Sequence, residues 1–184
     1  ARRRRLMRRP RLLLLSVSAG AGHMRAAEAL KIYAESEFGA EARHLDVMDY
    51  VPASFRAVYV DTYLRIVARY PMLWAMLYRI ADRKPRAAPL QQLRRAVERL
   101  NARTLRKVIA DYTPDAIVCT HFLPADLMRR ELERNRLACP VWVQVTDFDL
   151  HALWVVPGLT GYFAASDEVA QRMHARGLPP ERVH

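Results

Sequence analysis

The chain has 184 residues, 52% of them hydrophobic, which is enough for one globular domain with a real core. No stretch reaches the roughly 18–20 apolar residues of a membrane-spanning helix, and Cys119 and Cys139 show neither a CxxC pair nor a metal-ligand spacing, so they read as cytosolic thiols. The net charge of +11 is uneven: residues 1–11 carry seven arginines and no acid, and residues 79–107 hold ten Lys/Arg against Asp82 and Glu98, so a polyanionic partner is expected, a nucleic acid or an anionic leaflet.

Residues 1–10 form a basic, disordered tail in this reading, and residues 11–184 one domain. "ARRRRLMRRPRLLLLSVSAGAG" has the basic start of a signal peptide, but Ser16 interrupts the apolar run after Leu15, short of the roughly 7–15 residues an h-region needs. Leu12–Val17 reads instead as a short buried strand, and Ala21–Phe38 as a helix. A second strand is expected near Arg43–Val47. Residues 55–80 carry helical stripes: Phe55, Tyr59, Tyr63, Ile66, Val67 and Tyr70 on one face, then Leu73, Leu77 and Ile80 with Trp74 and Tyr78 beside them. A long helix is expected over 90–112, with Leu90, Leu93, Val97, Leu100 and Val108 inward and Arg94, Arg95, Arg99, Arg103 and Arg106 off that stripe.

From there short apolar strands alternate with helices: "DAIVCTH", "PADLMRRELERN", "CPVWVQVTD", "GYFAAS", "DEVAQRMHARG" and the start of one more strand in "LPPERVH". That alternation predicts an α/β fold, a Rossmann-like doubly wound parallel sheet covered on both faces. Ligands of such sheets sit beyond the carboxyl ends of the strands. Each polar cluster of note falls at such an end: Ser18–His23, then Thr120 and His121, then Thr146, Asp147, Asp149 and His151.

The opening turn is informative. Gly20 and Gly22 permit a tight turn and close approach of a ligand, and the helix behind them presents its positive end. The pattern is not a dinucleotide fingerprint, because Arg25 stands where the third glycine belongs, and it lacks the Gly-Lys-Ser/Thr of a P-loop. Asp46 and Asp49 are the carboxylates available for a ribose. His23, at the first helical residues, is close enough to neutral to take a proton from a hydroxyl; a packing or capping histidine is the plainer alternative.

Three blocks resemble the monogalactosyldiacylglycerol synthases and the bacterial processive diacylglycerol glucosyltransferases, a glycosyltransferase family 28-like group. "SAGAGHMRAAEAL" is similar to their glycine-rich, histidine-ending loop, with Gly20-Ala21-Gly22 where many members have three glycines. "PDAIVCTHFLPADLM" resembles their second motif, here with Phe122 and Leu123 before Pro124. "VTDFDLHALWVVPGLTGYFAASDEVAQRMHARGLPPERVH" resembles the third and is the most specific.

The resemblance implies the N-terminal, lipid-acceptor domain of a GT-B glycosyltransferase, with the C-terminal UDP-sugar domain absent from this chain, which alone is expected to be inactive. It makes His23 the general base toward the hydroxyl of diacylglycerol. Asp147 is placed to orient His23 or the acceptor, and Gly20, Gly22, His121, His151 and Trp154 are substrate-binding candidates. Tyr70, Trp74, Tyr78, Arg94 and Arg95 are expected to meet anionic membrane lipids, Tyr and Trp because they suit an apolar–aqueous boundary. The enzyme would work in the cytoplasm, peripheral on the inner face of the plasma membrane, with a galactose or glucose donor, no cofactor, no metal and no specific nucleic acid. The alternatives are a polyprenyl-linked peptidoglycan-precursor glycosyltransferase and a non-catalytic membrane- or lipid-binding module.

Overall fold

The computed structural model describes residues 8–53, 56–57, 104–147, 150 and 152–184. Five strands make one all-parallel sheet: β1 (Arg11–Ser16), β2 (Glu41–Asp46), β3 (Ala116–Cys119), β4 (Val141–Gln144) and β5 (Gly161–Phe163), in the spatial order β2-β1-β3-β4-β5. The expected fold class is the observed one. The order reverses between β1 and β3, so the switch-point crevice of a doubly wound sheet opens at their carboxyl ends.

Leucine-rich β1 is an interior strand, between β2 and β3, and is buried on both faces; Leu13, Leu14 and Leu15 are all inaccessible. One sheet face builds the main core, where Leu13, Leu15, Ile117, Cys119, Val141, Val143 and Tyr162 pack with Leu105, Ile109 and Tyr112 of the helical segment 104–112. The other face carries α1 (Ala21–Phe38), whose Ala27, Leu30 and Ala34 lie against Leu12, Leu14, Ala42 and Val118. Small side chains let this helix sit close to the sheet. Gly39, at φ 58°, ends it in the left-handed conformation that glycine tolerates best.

Three sequence expectations shift. The predicted helix after β3 is two short helices, α2 (Phe122–Leu127) and α3 (Arg129–Glu133); Met128 stands between them at φ −90°, ψ 0°, its N–H reaching the carbonyls of both Pro124 and Ala125. Strand β3 ends at Cys119, because His121 leaves the sheet to cap α2. Arg8 pairs with Asp115 at 2.8 Å and the Pro10 carbonyl accepts from Glu41 N–H, so residues 8–10, counted with the tail from the sequence, are tied to the sheet. After β5, Ser166 caps α4 (Asp167–Ala175), and Val183 pairs in parallel with Tyr162, the start of the further strand expected in "LPPERVH".

The stripes of residues 59–80 and the arginines of 94–103 lie outside the described residues. Among the described residues no helix is long and apolar enough to cross a membrane. Both cysteines are free. Burial pushes the Cys119 thiol far up, and burial with nearby Asp115 raises Cys139, so neither is primed as a nucleophile.

Gly161 shows how tightly the β4–β5 edge is packed. A Cβ there would stand 2.4 Å from the Trp142 ring and 2.9 Å from the Arg182 carbonyl oxygen. Gly161→Ala is expected to lower stability by about 1–3 kcal/mol, as overpacking does, read as a lower urea midpoint; an unchanged midpoint would mean that Trp142 moves aside without cost.

Candidate functional site

The loop from β1 to α1 is fixed before it reaches the rim. Asp46, at the end of β2, accepts from Ser18 N–H at 3.2 Å and from Met48 N–H at 2.9 Å through the same oxygen, so this carboxylate anchors the loop. Gly20 then caps α1 at φ 114°, where a side chain would be strained. Gly22 lies within the first helical turn, and a Cβ added to it would meet nothing within 4 Å. The backbone there faces open space at the positive end of an 18-residue helix.

His23, the third residue of α1, is half-buried and bound to the end of β3 in both directions. The Thr120 hydroxyl donates to the His23 carbonyl at 2.8 Å, and His23 Nδ1 lies 2.9 Å from the Thr120 carbonyl oxygen. Nδ1 is also 2.7 Å from Thr146 Oγ1, whose hydroxyl reaches the Thr120 carbonyl at 3.4 Å. A carbonyl oxygen only accepts. One proton arrangement therefore satisfies all three contacts: Nδ1–H donates to both oxygens, and the Thr146 hydroxyl donates to Thr120. In the neutral ring this leaves the lone pair on Nε2, which no described residue engages in a hydrogen bond.

Two aromatic rings, His121 and Trp154, flank that imidazole. His121, buried at the N-cap of α2, accepts from Leu123 N–H through Nδ1 at 3.0 Å, which puts the proton of its neutral form on Nε2. Its ring meets His23 edge-on, centroids 4.5 Å apart. Phe122 lies against His121 at 4.2 Å, and Trp154 stands 6.3 Å from His23 and 6.1 Å from His121. The Trp154 ring is fully buried and donates its indole N–H to Asp147 at 3.0 Å.

The rim thus brings together His23, His121, Asp147 and Trp154 from three separate stretches of chain, the last two from the β4–β5 connection. Asp147 sits one residue from the group that touches His23. Its carboxylate holds Trp154, and among the described residues no hydrogen bond joins it to His23. Thr120 and Thr146, noted in the sequence only as members of polar clusters, supply the atoms that hold the ring. His151 and the membrane-contact candidates Tyr70, Trp74, Tyr78, Arg94 and Arg95 lie outside the described residues. Among the described residues no group of three or more His, Cys, Asp or Glu is arranged to hold a metal ion. The chemistry on offer is that of a half-buried, oriented base beside a cluster of aromatic rings at the carboxyl ends of the strands.

Comparison with known proteins adds to this. The model of the monogalactosyldiacylglycerol (MGDG) synthase family matches residues 23–184. The chain is similar to a processive diacylglycerol beta-glucosyltransferase of Bacillus cytotoxicus, 24% identical over 97% of this chain and 44% of the relative. It is 28% identical to a chloroplastic monogalactosyldiacylglycerol synthase of Spinacia oleracea, over 94% of this chain and 33% of the relative. Among solved structures, the apo form of the lipopolysaccharide outer core galactosyltransferase WaaB shares the fold, with a TM-score of 0.56 at 12% identity, over 95% of this chain and 44% of that one. The chain spans less than half the length of each.

Gly22 separates stability from ligand access. Gly22→Ala is expected to leave stability unchanged or raise it by up to about 1 kcal/mol, since alanine is the better helix former, while weakening whatever binds at the open backbone. Thermal unfolding beside a ligand-binding isotherm checks both halves; unimpaired binding would remove Gly22 from the site.

Proposed function

The chain belongs to the monogalactosyldiacylglycerol synthase family, and from that premise we propose that it is the acceptor-binding half of a glycolipid glycosyltransferase that moves a hexose from a UDP-sugar to diacylglycerol. The observation that carries the reading is the His23 imidazole, held by Nδ1 so that no described residue takes the Nε2 lone pair in a hydrogen bond. An alcohol is a poor nucleophile at neutral pH, and a positioned base contributes roughly 10²- to 10⁴-fold. His23 Nε2 takes the diacylglycerol hydroxyl proton as the oxygen attacks the anomeric carbon. The bond from that carbon to the UDP oxygen breaks, and its electron pair leaves on the β-phosphate. His121, Trp154 and Phe122 form the wall that keeps water out and the acceptor in place.

The UDP-sugar is bound by the part of the full-length protein beyond this half, in the GT-B arrangement; the chain's share of its relatives' length and the fold it has in common with a galactosyltransferase support that division. Gly20 and Gly22 keep the approach to α1 open, and Asp147 acts through Trp154. The basic segments and the Tyr/Trp-rich stripe around residues 59–78 bring the enzyme to an anionic membrane surface, where its acceptor dissolves; each basic residue near such a surface contributes about 1 kcal/mol. No observation favours the polyprenyl-linked acceptor or a non-catalytic lipid-binding module over this reading.

In the full-length protein, His23→Ala is expected to abolish transfer from radiolabelled UDP-glucose or UDP-galactose to diacylglycerol while binding to acceptor-containing vesicles survives; retained turnover would take His23 out of the mechanism. In flotation at low salt, more protein is expected to rise with anionic than with neutral vesicles, and equal recovery would contradict the membrane reading.

A further inference from the structure

We propose that Thr146 is the positioning residue of the His23 base, its hydroxyl oxygen taking the place that a carboxylate holds beside many catalytic histidines. The inference rests on the reading of His23 as the base and adds to it the group that orients and stabilises that base. Its observation is the pair of uncharged oxygens on one nitrogen: Thr146 Oγ1 at 2.7 Å and the Thr120 carbonyl at 2.9 Å from His23 Nδ1.

The pair is built into the sheet. Thr120 N–H donates to the Leu15 carbonyl, and Val145 N–H, one residue before Thr146, donates to the Phe163 carbonyl. Two parallel ladders therefore fix the positions of both oxygens. Threonine is β-branched and stiff at χ1, so its hydroxyl stays where the backbone puts it. The hydroxyl also closes the set by reaching the Thr120 carbonyl at 3.4 Å.

When Nε2 takes the proton of the acceptor hydroxyl, the ring becomes an imidazolium with Nδ1–H already aimed at two acceptors. No dipole has to turn as the charge forms, which is how preorganised electrostatics lower a barrier. Of the titratable groups on the described elements, His121 meets His23 edge-on at 4.5 Å, and Asp147, next in sequence to Thr146, is engaged by the Trp154 indole. Asp149 and His151 lie outside the described residues. The close partners of the forming cation are thus the two threonines, and of these only Thr146 contributes a side-chain atom that substitution can remove.

The test uses the full-length protein with Thr146→Val, which keeps the shape and removes the oxygen, and Thr146→Ser, which restores the oxygen. Thr146→Ala replaces the valine variant where valine packs badly. Thr146→Val is expected to lower kcat about tenfold or more, the scale of one hydrogen bond to a charged group. KM for diacylglycerol should change by less than about twofold, and the acid limb of the pH–rate profile should move to lower pH because the imidazolium has lost an acceptor. Thr146→Ser should recover most of the rate and the original limb. Equal behaviour of the valine and serine variants, or an unmoved limb in the valine variant, would overturn the proposal.

A second readout separates this inference from the functional reading. The titration of the His23 ring is followed by proton NMR, its signal assigned by its loss in His23→Gln. A midpoint lowered in Thr146→Val and kept in Thr146→Ser supports the role of Thr146 even if the wild type transfers no hexose, a result that would overturn only the functional reading. An unmoved midpoint overturns the role of Thr146 whatever the turnover.

Discussion

His23 and Thr120 hold each other, each through its side chain and its carbonyl, and the site is organised around that exchange. One bond runs from the threonine hydroxyl to the histidine carbonyl, the other from the histidine ring to the threonine carbonyl. Together they fasten the first turn of α1 to the end of β3. They form only where β1 and β3 are neighbours, that is, where the strand order reverses. Because a carbonyl accepts and never donates, the same contact decides which ring nitrogen carries the proton. A rule of topology thereby becomes a rule of chemistry: the ring nitrogen that Thr120 does not hold keeps its lone pair.

The supports of this contact lie in different layers. Asp46 ties the loop before the helix to the end of β2. Buried Ser16 donates to Met24 Sδ at 2.9 Å and lies 2.6 Å from His44 Nε2, so the residue after His23 is tied to the sheet as well. Trp154, fully buried and bound to Asp147, fills the space beside both histidine rings. Loops tolerate polar clusters at strand ends because water reaches them; here the cluster is partly withdrawn from water, where each hydrogen bond is stronger and each unmet one more costly. That environment suits the handling of a single proton beside an apolar substrate.

Much of the fold was legible in the sequence. The body of strand β1 is four consecutive leucines between Arg11 and Ser16, and α1 runs from Ala21 to Phe38, where Gly39 ends it. The rim was legible too, because parallel strands deliver their polar residues to one end. The hydrogen-bonding partners on it were not. The family resemblance offered Asp147 as a group to orient His23 or the acceptor; the structure sets Thr146 against the His23 ring and joins Asp147 to the Trp154 indole. That difference depends on which way each residue leaves β4 after Gln144, and period-two patterning fades once a strand has ended. The break at Met128 was hidden for a similar reason, since its residues are good helix formers on both sides and the shared N–H of Met128 is a local geometric choice.

The most direct measurement is a crystal structure of the full-length protein with a diacylglycerol analogue bound. The account predicts the free hydroxyl oxygen within roughly 2.6–3.2 Å of His23 Nε2, the reach of a general base, with Nδ1 still held between Thr120 and Thr146. A hydroxyl bound elsewhere on the rim, or an imidazole turned so that Nε2 faces the Thr120 carbonyl, would contradict it.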